Sequence, residues 1–301
     1  MSHPIRIPSP PFSNRPLRSL LFCPASDARK MRKASEAGAD MVIFDLEDSV
    51  TPSAKAEART LMEEALSLPR KVPVAVRVNA TETSWHLADL VAAVHGRADA
   101  VILPKCDGKE DLQRLSDRLD ALEAVFGLEN GDTAIIPLVT ETAFALHGLD
   151  YRGVSPRLAA LCFAGEDLAS DLGVLARSGS QMNELLADAR RQVAIAAAAA
   201  GVRAIDTPLP DHRAAEALER ETREAAHLGF AGKLCIHPGQ IAIVHATLRP
   251  TPDQVEWGRA VIAALEGAAS GVAVVDGKMV DIAHLRLAHR YVQMAEAEFR
   301  A

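Results

Sequence analysis

Aromatic side chains are scarce in these 301 residues, at 4%. A core of this size must then be built from Ala, Leu, Val and Ile, which the 49% apolar content supplies. Cysteine is rare too: Cys23, Cys106, Cys162 and Cys235 are the full set, and none stands at metal-ligand spacing. Three of them fall in apolar, strand-like runs, where a thiol behaves as a small hydrophobe. They read as reduced core residues of a cytoplasmic protein. Positive charge is in deficit. A net charge of -7 excludes the broad basic face that a nucleic acid requires, although it permits an anionic small ligand held by a few local Lys and Arg. No run suits a bilayer, since residues 193–202 are short and Ala-rich. The Pro- and Ser-rich residues 1–16 carry no apolar signal segment. A soluble protein with neither membrane nor nucleic-acid partner is expected. Also missing is a Gly-x-Gly-x-x-Gly after the first strand-like run, which weakens a dinucleotide-binding sheet.

What is present is repetition. Near-continuous apolar runs of strand length occur at residues 18–23, 41–45, 74–79, 100–105, 134–140, 158–163, 202–206 and 233–237. Runs of that kind are expected of parallel strands buried on both faces. Stretches with helical composition separate them, at residues 27–37, 53–68, 85–95, 109–126, 180–200 and 211–228. Alternation of strand and helix through eight units predicts a (β/α)8 TIM barrel over residues 18–249, preceded by an arm, 1–17. A doubly wound open sheet is the competing topology. Residues 250–301 break the pattern. They read as a helix from Thr251 towards Gly267, a hairpin turning at Asp276-Gly277, and a last helix over 281–299. This extension is predicted to be an extra layer, a lid or an oligomer contact.

Polar and ionisable residues gather where the strands should end. In order they are Asp45, Glu47 and Asp48; Arg77 and Asn79; Lys105; Glu141; Glu166 and Asp167; Asp206; and His237. In a barrel the carboxyl ends of the strands carry the function. Glu141 and Asp167 follow neighbouring strands, and two carboxylates with little to neutralise them suit Mg²⁺, which takes few protein oxygens. Asp45, Glu47 and Asp48 would reach such an ion through water. Zinc does not fit, because no histidine cluster accompanies them. Arg77 in an apolar strand needs an anion, either a substrate oxygen or a structural carboxylate such as Glu141. Lys105 meets an anionic group or simply water. Asp167 has an alternative as a helix N-cap, and His237 as a cap or packing residue.

These residues sit in motifs that resemble the citrate lyase beta-subunit family, which has a phosphoenolpyruvate/pyruvate-type aldolase barrel. The motifs are Leu21-Phe-Cys-Pro24, Asp45-Leu-Glu-Asp-Ser-Val50, Arg77-Val-Asn79, Leu103-Pro-Lys105, Glu141-Thr142, Gly165-Glu-Asp-Leu168, Cys235-Ile-His-Pro-Gly-Gln240 and Gly277-Lys-Met-Val-Asp281. The family includes malyl-CoA and citramalyl-CoA lyases and thioesterase relatives. The resemblance implies Mg²⁺ on Glu141 and Asp167, an anion-stabilising Arg77, and a catalytic Asp281. Two departures stand out: Val280 replaces Ile, and Cys23-Pro24-Ala25 replaces Val-Pro-Gly. The expected reaction is reversible cleavage of a 3-hydroxyacyl-CoA thioester into an acyl-CoA and a 2-oxo acid. Gly165, Glu166 and Lys105 would contact the substrate, and Arg18 and Lys30 the CoA phosphates. A homotrimer or hexamer is implied. Alternatives are a malyl-CoA thioesterase, a citrate lyase subunit acting on an acyl-carrier-protein thioester, and a barrel kept only for binding or scaffolding.

Overall fold

The computed structural model describes residues 10–179, 181–267 and 271–298. Residues 1–9 of the expected arm and Phe299 at the end of the last helix lie outside them. The chain divides into two compact units, one holding Leu17–Thr247 and the other running from Leu248 onward with Asn14–Pro16.

Eight parallel strands form the first unit's sheet: β1 (Ser19–Pro24), β2 (Met41–Asp45), β3 (Val74–Arg77), β4 (Ala100–Leu103), β5 (Ala134–Pro137), β6 (Ala160–Cys162), β7 (Arg203–Asp206) and β8 (Gly232–Cys235). Ladders join them in the order β5-β4-β3-β2-β1-β8-β7-β6. The seam between β5 and β6 has no ladder and is closed by isolated bridges, Ile135 to Leu158 and Leu138 to Cys162. The result is a TIM barrel. Helices α1 (Ala28–Ser35), α2 (Lys55–Leu66), α3 (His86–His95) and α4 (Lys109–Phe126) follow the first four strands.

The strict alternation expected from the sequence fails twice. After β5 the chain makes only a 3₁₀ turn, Phe144–Gly148. There Gly148 is pressed against the next-door loop; a Cβ would stand 2.5 Å from the Asp107 carbonyl. After β6 come two helices, α5 (Gly165–Leu172) and α6 (Glu184–Ala200), separated by a short ribbon. Helices α7 (Ala215–His227) and α8 (Ile241–Leu248) complete the helical set around the sheet.

Each strand turns one small or branched side chain inward: Leu20, Ile43, Ala75, Ile102, Ile136, Cys162, Ile205 and Leu234 form one buried cluster with their neighbours. Strand side chains alternate with period two. Seven of the eight residues two further along line the cavity described below. They are Phe22, Asp45, Arg77, Leu138, Ala164, Thr207 and Ile236, and polar groups enter the barrel here for the first time. All four cysteines are buried and free, and burial pushes the Cys23, Cys106 and Cys235 thiols up to about 12.

The second unit contains α9 (Pro252–Glu266), β9 (Val272–Val275), β10 (Lys278–Asp281) and α10 (Ile282–Glu298). The hairpin turns where expected. Asp276 and Gly277 both take positive φ, 49° and 72°, as a two-residue turn between twisted strands requires. Val261, Val275, Val280 and Ala288 are its buried core. Among the described residues no helix is long and apolar enough to cross a membrane.

Candidate active site

The inward layer above the core opens into a cavity of ≈ 360 Å³. Its polar wall is Asp45, Asp48, Arg77, Glu166 and Asp167; Leu138, Leu234, Ile236 and Pro208 form much of the apolar remainder. Arg77 is the last residue of β3 and pairs in register with Asp45, the last of β2. Its Nε and Nη2 donate to the two Asp45 oxygens at 2.7 and 2.8 Å. Nη1 lies 3.2 Å from both Glu47 and Asp48. The guanidinium carbon sits 4.9 Å from the centre of the Phe22 ring. Burial opposes charge on Asp45, but the Arg77 bonds prevail and hold its carboxyl below the usual range. The sequence left open a bond from Arg77 to Glu141. The structure instead gives Arg77 to Asp45, Glu47 and Asp48, so these three serve the guanidinium directly.

Lys105 links the second group of carboxylates. Its backbone takes φ 50°, an unusual conformation for a residue with a side chain. That twist aims its N–H at Glu141 Oε2, while its Nζ reaches Glu47 Oε1 at 2.6 Å. The other Glu141 oxygen is buried without a hydrogen-bond partner. Burial, with Glu47 and Asp167 adding repulsion, pushes the Glu141 carboxyl up to about 8. Asp167, in the first turn of α5, is raised by burial and by Asp48. Two cations, Arg77 and Lys105, thus face five carboxylates: Asp45, Glu47, Asp48, Glu141 and Asp167. A divalent ion fits that imbalance, and the orphaned Glu141 oxygen is a natural ligand for it. Among the described residues no three His, Cys, Asp or Glu side chains form a ready-made cage. A site of two carboxylates completed by water and substrate is the kind Mg²⁺ accepts.

Gly165 begins α5 in a tight place. A Cβ there would lie 3.1 Å from the Phe163 ring and 3.3 Å from Thr207 Oγ1. Its N–H donates to Thr207 Oγ1 at 3.0 Å. No side chain caps this helix. Glu166 lines the cavity but is bonded to Arg177, which also meets Glu221 at 3.1 Å. Arg177 falls in the aperiodic stretch between α5 and α6, and nothing in the sequence marks it.

Several strand-end residues prove structural. Asp206 is fully buried and bonded to Arg190 at 2.9 and 2.8 Å and to Lys233 at 2.6 Å. The His237 Nδ1 accepts from the Gly239 N–H at 3.0 Å, capping a 3₁₀ turn, and the ring stacks on His212 with centroids 4.4 Å apart. Asn79 serves the loops beneath the cavity. Arg18 precedes β1, at the amino end of the barrel, and its guanidinium bonds Asp40 at 2.9 Å. Lys30 is exposed on α1, 3.7 Å from Asp27. Asp281, in the second unit, accepts from the Ala283 N–H at 3.0 Å at the start of α10, and His284 holds its carboxyl below the usual range.

The model of the HpcH/HpaI aldolase/citrate lyase family matches residues 18–238. Among curated proteins, the chain is 34% identical over 272 residues to the citrate lyase subunit beta of Escherichia coli, covering 89% of each. It is 35% identical over 297 residues to a (3S)-malyl-CoA thioesterase of Cereibacter sphaeroides, covering 95% of this chain and 98% of that one. Among solved structures, CitE of Mycobacterium tuberculosis in complex with magnesium, acetoacetate and coenzyme A superposes with a TM-score of 0.74. It is 30% identical, with 94% of this chain and 99% of that one covered.

Proposed function

The chain belongs to the HpcH/HpaI aldolase/citrate lyase family, and from that premise we propose that it is a Mg²⁺-dependent carbon–carbon lyase. The substrate is a 3-hydroxyacyl-CoA such as malyl-CoA, citramalyl-CoA or citryl-CoA, split reversibly into an acyl-CoA and a 2-oxo acid. The observation that supports this best is the excess of carboxylate around Glu141, one of whose oxygens is buried without a partner. Glu141 and Asp167 would hold Mg²⁺, which would supply positive charge to the half that leaves as the 2-oxo acid.

As the hydroxyl gives its proton to a carboxylate of the cluster and its oxygen becomes the 2-oxo group, the electron pair of the carbon–carbon bond passes to the thioester half as an enolate. Arg77, fixed from behind by Asp45 and buried to 9% exposure, offers a preorganised cation to that enolate oxygen. Leu138 and Leu234, both buried, make the facing wall apolar. Gly165 lets α5 start against Thr207, and the first turn of that helix faces the substrate carboxylate. Glu166 lies on the cavity rim and Lys105 braces Glu141. In this reading Asp281 delivers a proton to the enolate carbon, from its own or a neighbouring subunit, and Lys30 meets a CoA phosphate. The protein works in the cytoplasm as a homotrimer or hexamer.

The competing reading is hydrolysis of the same thioester, which the malyl-CoA thioesterase relative favours. Incubating the protein with Mg²⁺ and malyl-CoA or citramalyl-CoA separates them. A lyase releases glyoxylate or pyruvate with no free CoA. Free CoA with malate or citramalate, and no 2-oxo acid, would overturn the lyase reading.

A further inference from the structure

Behind the acidic loop that grips Arg77 lies a third cation, one that takes no part in the chemistry above. Lys55 stands at the start of α2, is 5% exposed, and spends all three ammonium protons on neutral oxygens. It donates to the Leu46 carbonyl, the Glu47 carbonyl and Asn79 Oδ1, each at 2.7 Å. The first two belong to the loop after β2 and the third to the loop after β3. Asn79 is fixed in turn. Its amide donates to the Leu46 carbonyl at 3.0 Å and to Asp89 at 2.6 Å, and Asp89 is held by Arg59 at 2.9 Å. One ammonium therefore ties two of the loops that build the site into a single piece.

From this geometry we infer that Lys55 is a positioning residue: by gripping the carbonyls of Leu46 and Glu47 it sets the loop whose Glu47 and Asp48 aim Arg77 into the cavity. An ammonium meeting only neutral oxygens also remains a net positive charge, placed behind Asp45, Glu47 and Asp48. A lysine placed merely to pack would not satisfy three backbone or amide oxygens at equal distance.

The inference rests on the lyase reading for its kinetic consequence but not for its structural one. The test uses the full chain as Lys55→Met, with Arg59→Met as a stability control from the far side of the same buried knot. Lys55→Met should fold, lose about 10–100-fold in kcat, and hold its KM for the thioester within about threefold, because misplacing a catalytic group mainly raises the barrier. Arg59→Met should lower Tm comparably yet keep kcat within about twofold. Amide hydrogen exchange over residues 46–50, which requires no activity, should accelerate at least about tenfold in Lys55→Met, since its carbonyl anchor is gone. Unchanged exchange, or a kcat loss equal in both variants, would overturn the inference. If Lys55→Met does not fold, Lys55→Arg is the second variant: it keeps the charge but not the compact three-way geometry, and must show the same faster exchange. Should the wild type cleave no thioester, the lyase reading falls and the exchange measurement still decides the role of Lys55.

Discussion

Asp45 and Arg77 are cross-strand partners at the last register position of β2 and β3, and their side chains repeat that pairing as a two-point ion pair. The backbone ladder and the charge pair therefore fix the same geometry twice. A guanidinium held this way cannot rotate freely, which is the preorganisation that stabilising a nascent oxyanion demands.

Arg77→Lys tests that relationship. A lysine keeps the charge but loses the planar fork, so kcat should fall about 10²–10³-fold. Arg77→Met should do the same and also lower the melting temperature, because it strands the buried Asp45 carboxylate. Steady-state kinetics beside a thermal melt checks both outcomes.

Removing divalent cations with a chelator should abolish cleavage, and Mg²⁺ should restore it. Binding should also be visible without turnover. At a hundredfold excess over Kd, Mg²⁺ should stabilise the fold by about 2.7 kcal/mol, and Glu141→Gln should shrink that shift. A thermal shift by Mg²⁺ that survives in Glu141→Gln would take Glu141 out of the ligand set.

At Gly165 a single methyl group is informative. Gly165→Ala would press on the Phe163 ring and Thr207. Overpacking of this kind costs about 1–3 kcal/mol and would push Asp167 out of place. A lower melting temperature together with weaker Mg²⁺ binding, measured by calorimetry, is expected.

Asp206 should give the fold an acid limit. Burial opposes its charge, but Lys233 and Arg190 outweigh it and hold its carboxyl below the usual range. The folded state then binds this proton less readily than the unfolded one. The stabilisation is complete above the unfolded value, about 3.9, and is lost as pH falls through the depressed folded value. Lys233→Met removes one of the two cations and should move acid unfolding to higher pH in a circular-dichroism titration.

Asp281 combines two roles that one pair of variants can separate. Serine caps a helix nearly as well as aspartate, whereas alanine costs about 1 kcal/mol. Asp281→Ser should keep the melting temperature and lose kcat. Full activity in Asp281→Ser would leave Asp281 as a cap only.

Much of the barrel was legible because its strands are buried on both faces and so read as unbroken apolar runs. The Asp276-Gly277 turn was legible because few residue pairs accept two positive φ angles. Strand-end residues were easy to collect but hard to sort. Asp45 and Asp206 look alike in sequence, each closing an apolar strand, yet one lines the cavity and the other is sealed between Arg190 and Lys233. Their partners decide the difference, and Arg190 and Lys233 are remote from it in the chain. Lys55 was invisible for the same reason, since a lysine near a helix start is ordinary until its three acceptors are seen. No stretch of helical composition lies between residues 140 and 158, and the chain there makes only a 3₁₀ turn, with Gly148 close against Asp107.

The join between β5 and β6 is the thinnest in the barrel, two bridges where the other neighbours share ladders. Glu141 follows one of these staves and Asp167 the other. A cation seated on both would be a fastener as much as a reagent, drawing shut the one place where the wall of the vessel is barely stitched.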